Sequence, residues 1–156
     1  MTFRPAIVDI MMARPGVLRS AGSEVGPVTL AIQRIAAQRD FIEAIRAIHA
    51  EAIQLTRSQH AMCVLYAGGM AAPAPDGHPP RRLDAEVRSL VERTATSGQR
   101  ALLGRIVVEP IGAAPARAVL IVHRSVGAAA YSPGELATLS ALAVGLQGVF
   151  PRLLAL

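Results

Sequence analysis

Nucleophilic or metal-ligand chemistry in this chain would have to come from one cysteine, Cys63, and four histidines, His49, His60, His78 and His123. Zinc sites need Cys and His at short, repeated spacings, and these five residues are scattered. His60 and Cys63 stand three apart in a stretch that reads as a strand, so they point to opposite faces and cannot pair as base and nucleophile. Cys63 has apolar neighbours and no adjacent Arg or His to lower its pKa, so an inert, buried thiol is expected. Gly68-Gly69 is followed by Met70 and not by the Gly-Lys-Ser/Thr of a phosphate loop. Neither HExxH nor GxSxG occurs. His49 falls in an apolar helical seam and reads as a satisfied core or interface histidine. The side chains that do chemistry therefore argue against catalysis, and no metal or cofactor is expected.

The elements that must position them are easier to read. Ser132 has the type and place of a helix N-cap, Pro133 suits the first helical position, and Glu135 completes a capping box. Tyr131 and Leu136 are placed as a hydrophobic staple. Leu136, Leu139, Leu142, Ala143, Leu146, Val149 and Phe150 then recur at spacings of three and four, which predicts one apolar stripe. Residues 28–58 are also helical in pattern. Ile35, Ile42, Ile45, His49 and Ala52 form the seam, with Phe41 and Ile48 beside it. A single helix there would be about 45 Å long, more than a domain of this size needs. Alternatively, Asp40 caps a second helix after a break.

Residues 60–66 read as a strand that is apolar on both faces. Residues 67–82 hold four prolines and three glycines, so a loop is expected over most of them. Asp84 caps a helix over 85–96 that buries Val87, Leu90 and Val91, and Gly98 stops it. Residues 101–108 give one strand or two short ones with a bulge at Gly104. Residues 116–124 give the next strand, dense in Val119, Leu120, Ile121 and Val122. The order implies an α+β fold with a mostly antiparallel central sheet, flanked by long N- and C-terminal helices.

Composition narrows the classes. With 156 residues, 52% hydrophobic and 17% charged, the chain can bury one real core. The net charge is +5, yet the basic residues are spread along the chain and only Arg81-Arg82 are adjacent. At 3% aromatic there is no stacking platform either, so nucleic-acid binding is not expected. No uninterrupted apolar run approaches the ~20 residues of a membrane span, and no signal peptide is evident. A cytoplasmic protein is expected. Residues 1–27 read as an N-terminal extension, a partly ordered arm with an apolar cluster at Phe3, Ile7, Val8, Ile10, Met11 and Met12, broken up by Gly16, Gly22, Gly26 and Pro27. Residues 28–156 read as the domain.

Taken together, the stretch Val119–Arg124 followed by Tyr131-Ser132-Pro133-Gly134-Glu135-Leu136 resembles the C-terminus of GAF domains, a small sensory fold. The helix ending Thr96-Ser97-Gly98-Gln99-Arg100, the segment Val107-Val108-Glu109-Pro110-Ile111, and the opening helix and strand Phe41–Tyr66 are similar to further family elements. The resemblance covers residues 28–156 and implies a regulatory domain that binds a small effector. Two departures stand out: the hairpin expected after the first strand is replaced by the Pro-rich loop 67–82, and the segment between Arg100 and Ile106 is short. Bilin-carrying members usually present Cys followed by His, whereas Val64 follows Cys63 here. One cysteine also cannot form the intramolecular disulfide of GAF-type methionine sulfoxide reductases.

The expectation is a non-enzymatic effector-binding domain whose cleft lies between the sheet, helix 84–96 and loop 67–82. Met62, Val64, Tyr66, Met70, Arg100, Arg105 and Val107 are its candidate lining, although the apolar members equally suit plain core packing. Arg105, in a strand, must snorkel, pair or face an anion. The alternative is a ligand-free interaction module. A homodimer is expected through helices 28–58 and 132–156, with Ile35, Ile42, Ile45, His49, Leu146 and Phe150 at the interface. A protein partner would carry any output.

Overall fold

The computed structural model describes residues 15–79 and 81–155. The apolar cluster expected at residues 3–12 lies outside them. The elements, in order, are α1 (Pro15–Ala36), α2 (Phe41–Thr56), β1 (His60–Ala67), β2 (Met70–Pro73), α3 (Ala85–Ser97), β3 (Ala101–Leu103), β4 (Ile106–Ile111), β5 (Ala118–His123) and α4 (Pro133–Leu154).

The helical pattern over 28–58 is two helices. The chain breaks after Ala36, and Asp40 restarts it by accepting the backbone N–H of Glu43 at 2.8 Å. Folding the segment back lets α1 pack against both α2 and α4, which a single long rod could not do. α1 also begins earlier than the glycines and Pro27 suggest and runs through Pro27. Pro27 removes one backbone hydrogen bond, while the turns after it are held by the fully buried Ala31 and Ile35.

The five strands form one antiparallel sheet in the order β2-β1-β5-β4-β3. The expected absence of a hairpin after β1 is corrected. Gly68 and Gly69 both have positive φ, 58° and 76°, and make the two-residue turn that joins β1 to β2. The Pro-rich signal belongs to the residues after Pro73. Gly104 sits at positive φ in the turn between β3 and β4, so residues 101–111 are two strands.

One sheet face, with Cys63, Leu120, Val122 and Val107, is covered by α2 and α4, with α1 outside them; the other, with Val64, Val119, Ile121 and Val108, is covered by α3. α4 starts as its sequence predicts. Ser132 Oγ accepts the Glu135 N–H at 3.1 Å, and Glu135 Oε1 accepts the Ser132 N–H at 2.9 Å. Its stripe Leu139, Leu142, Ala143, Leu146 and Phe150 is buried. The helix continues through Pro151 to Leu154, and Leu153 is buried beyond it. α4 is long and apolar enough by length and composition to cross a membrane, but this buried stripe packs within the chain's own core.

Candidate functional site

On the α3 face, β1 and β5 align side chains in rows, because each residue of β1 sits opposite one of β5. His60 pairs with His123, Met62 with Ile121 and Val64 with Val119. α3 covers the Val64 row completely but begins only at Ala85, so the Met62–Ile121 row is covered in part and the His60–His123 row is the more open. Leu83 and Val87 close one side of the opening, and Arg81, Arg82 and Asp84 form its lip. The result is a cavity of about 180 Å³ with an apolar floor of Met62, Ile121, Leu83 and Val87. The His60 and His123 rings stack at its end, 5.9 Å apart and inclined by 13°.

A second cavity, about 140 Å³, adjoins it and shares Ala61, Met62 and Arg81. It lies under a strap formed by residues 73–79 and is lined by His49, Asp76 and His78. The strap is anchored, not free. Beyond Pro73 the chain gives β1 only one ladder bond, from Ala74 N–H to Cys63 O at 2.8 Å. The Cys63 N–H is taken instead by His49 Nε2 at 2.9 Å. Since Nε2 is the acceptor, the proton of the neutral ring is on Nδ1, which faces Asp76 Oδ2 at 3.3 Å. Burial pushes the His49 pKa down, against the opposing pull of Asp76. Burial by itself would raise Asp76, but its hydrogen bonds from the His78 backbone and ring and the charge of His49 hold it below the usual carboxylate range. Arg46 Nε donates to Asp76 O at 3.2 Å, and a Cβ at Gly77 would run into the Arg46 guanidinium. All four histidines of the chain thus line these two adjoining cavities.

Of the seven residues expected to line the cleft, Met62 alone does. Val64 is fully buried behind the floor, under α3, and Tyr66 lies farther along β1 at a different hollow. Met70 is 75% exposed at the sheet edge. Val107 and Arg100 are on the opposite, α4 face: Arg100 Nε donates to Glu109 at 2.6 Å and Nη2 to Leu136 O at 2.8 Å, tying β4 to α4. Arg105 is in the β3–β4 turn and pairs with a backbone carbonyl, Ala128 O, at 2.7 Å. Asp76, His78, Arg81, His60 and His123 were missed. The one hint in the sequence is that Arg81-Arg82, the only adjacent basic pair, directly precedes a helix cap.

Of the six residues expected at a subunit interface, Ile35, Ile45, Leu146 and Phe150 are buried inside this chain's own core, because α1 and α2 fold back against α4. His49 points at the strap. Ile42 alone keeps an exposed surface, 42%. Cys63 is fully buried, and burial pushes its thiol up to about 12, as an inert thiol requires.

A larger hollow of about 710 Å³ opens beside Arg124, but its polar groups are committed to one another. Arg124 donates to Thr56 O, Arg57 O, Ala129 O and Ala130 O, pairs with Glu135 at 2.6 Å and lies over the Tyr131 ring. Tyr131 Oη in turn meets Ser58 Oγ at 2.6 Å, which meets Thr56 Oγ1 at the same distance. This arrangement joins the end of α2, the end of β5 and the start of α4.

No family model matches the sequence, and no curated protein matches it. Solved structures do match the fold. The GAF domain of a phosphoenolpyruvate-protein phosphotransferase from Acinetobacter superposes with a TM-score of 0.60 at 11% identity, over 86% of this chain and 96% of that one. The GAF domain of a Pseudomonas syringae pv. tomato protein described as a sensor histidine kinase gives a TM-score of 0.60 at 15% identity, over 90% and 98%.

Proposed function

Proceeding from the GAF fold that this chain carries, we propose that it is a non-enzymatic regulatory domain of the cytoplasm that binds a small effector in the cleft between β1, β5, the start of α3 and the residues Arg81–Asp84 before it. One observation carries this reading: α3 starts too late to cover the end of the sheet at His60 and His123 fully, leaving an apolar-floored cavity with polar and charged side chains gathered at its mouth. Pockets of that composition are the usual form of small-ligand sites. The anchored strap supports it, because a ligand touching His78 is linked through Asp76 and His49 to α2. Output would pass through a partner protein.

Native mass spectrometry of protein purified from its source organism tests this. A bound small molecule that is lost in a Met62→Trp variant, whose ring fills the floor, is the expected result. A cleft that stays empty and binds nothing from a metabolite library overturns it.

The second reading, a ligand-free homodimerising module, draws support from Leu30, Ile42 and Val144, which stay 51%, 42% and 66% exposed on α1, α2 and α4. Light scattering separates the two. A mass of 16.3 kDa at micromolar concentration removes the module reading. A doubled mass that Ile42→Glu returns to monomer without unfolding supports it.

A further inference from the structure

Resting on the effector-cleft reading above, we propose that the cleft selects a small organic acid: a carboxylate held by Arg81 and Arg82, with an apolar body, one ring or a short chain, lying on Met62 and Ile121. Three observations converge on this class.

The first is the division of the cavity. Its floor is aliphatic and offers a ligand no hydrogen bond, so the part of the ligand that enters must be apolar. The second is the charge at the lip. Two arginines, Arg81 and Arg82, line it there, and among the described residues neither has an ion pair or a hydrogen bond. One acid, Asp84, shares the lip with the two arginines, and the other nearby acid, Asp76, is turned to the histidines. Asp84 Oδ1 accepts the Val87 N–H at 2.9 Å as the cap of α3, and Asp76 is held by His49 and His78. Arginines elsewhere on a protein surface are commonly solvated and unpaired. Here the pair borders an apolar cavity, where a planar fork matches a carboxylate and loses less to water than on an open surface. The third is size. A dry cavity of about 150 Å³ is enough to take a benzene ring, and this one is about 180 Å³.

The four histidines give a site-specific readout, since two of them end this cavity and two line its neighbour. The ring Cε1–H resonances, assigned with single His→Gln variants of the full chain, would be followed while benzoate is titrated, and separately its neutral isostere benzamide. Benzoate should move His60 and His123 first and bind about tenfold more tightly than benzamide, because a hydrogen bond to a charged group outweighs a neutral one. A double variant, Arg81→Gln with Arg82→Gln, should bring the two probes level by weakening benzoate about tenfold more than benzamide. Equal binding of both probes to the unmodified protein overturns acid selection but leaves an effector cleft in place. A benzoate preference that survives in the double variant overturns the assignment to the arginine pair. If neither probe moves His60 or His123 at tens of millimolar, both the acid inference and the cleft reading fall.

Discussion

Two arginine-rimmed hollows lie at different places on this sheet, and they differ in what their charges touch. At Arg124 every donor of the guanidinium is used, by four backbone carbonyls and by Glu135, and the side chain is 10% exposed. At Arg81 and Arg82 the guanidinium groups are exposed and free of ion pairs among the described residues. The Arg124 hollow is much the larger, about 710 against 180 Å³. Size is therefore no measure of how far a hollow's polar groups are already taken up by the fold. A buried cation that satisfies several chain ends is part of the fold. An exposed cation beside unfilled apolar surface contributes little to the fold and remains available to a ligand.

Stability measurements can break this contrast. Arg124→Ala should have the largest effect, about 2–4 kcal/mol by urea denaturation, because it leaves four backbone carbonyls and the partly exposed Glu135 without their partner. A loss no larger than that of a surface arginine would remove the distinction altogether. His49→Leu comes next, at about 1–3 kcal/mol, since it strands the N–H of Cys63 in the sheet. Ser132→Ala should cost about 1 kcal/mol through the cap of α4. Arg81→Gln should stay within about 0.5 kcal/mol; a larger cost would place Arg81 with Arg124 as a structural residue.

Acid should act through His49 and the strap. The folded-state pKa of His49 is lowered from 6.5, burial being the main cause. The unfolded chain therefore takes up the proton first. The stability this group contributes is complete above its ordinary value and is lost as pH falls through the lower folded value. Asp76, also lowered, has the same sign in a more acidic window. Denaturation midpoints should thus drop on acidification below about pH 6.5, and His49→Leu should flatten the upper part of that drop. An unchanged slope in the variant would show that His49 is not the titrating group.

Local signals were legible wherever one segment determines its own conformation. The Ser132–Glu135 box, the caps at Asp40 and Asp84, the stop at Gly98 and the stripe of α4 follow from neighbours three or four residues apart, and the sequence alone determined them. The identity of β1, β4 and β5 as strands of an antiparallel sheet followed from apolar runs and tight turns in the same way. The run of prolines hid the β1–β2 hairpin, because the turn-forming pair Gly68-Gly69 reads as the start of the loop when it is the end of a strand.

Tertiary structure decided everything that depends on which sheet face a residue meets. Val64 and Val107 are alike in the sequence, yet β-strand register sends one beneath α3 and the other beneath α4. The same parity takes Arg100 and Glu109 away from the cleft. The cavity exists because α3 begins one turn too late to cover the Met62 and His60 rows fully, a length relation between two elements that no local pattern expresses. His60 and His123 meet there, and His49 and His78 at the adjoining cavity, although they are far apart in the chain, since β1 pairs with β5 and the strap crosses back over α2. Sequence spacing carries contacts made within a turn or a hairpin; pairing across the sheet brings together residues whose separation along the chain holds no information about their distance.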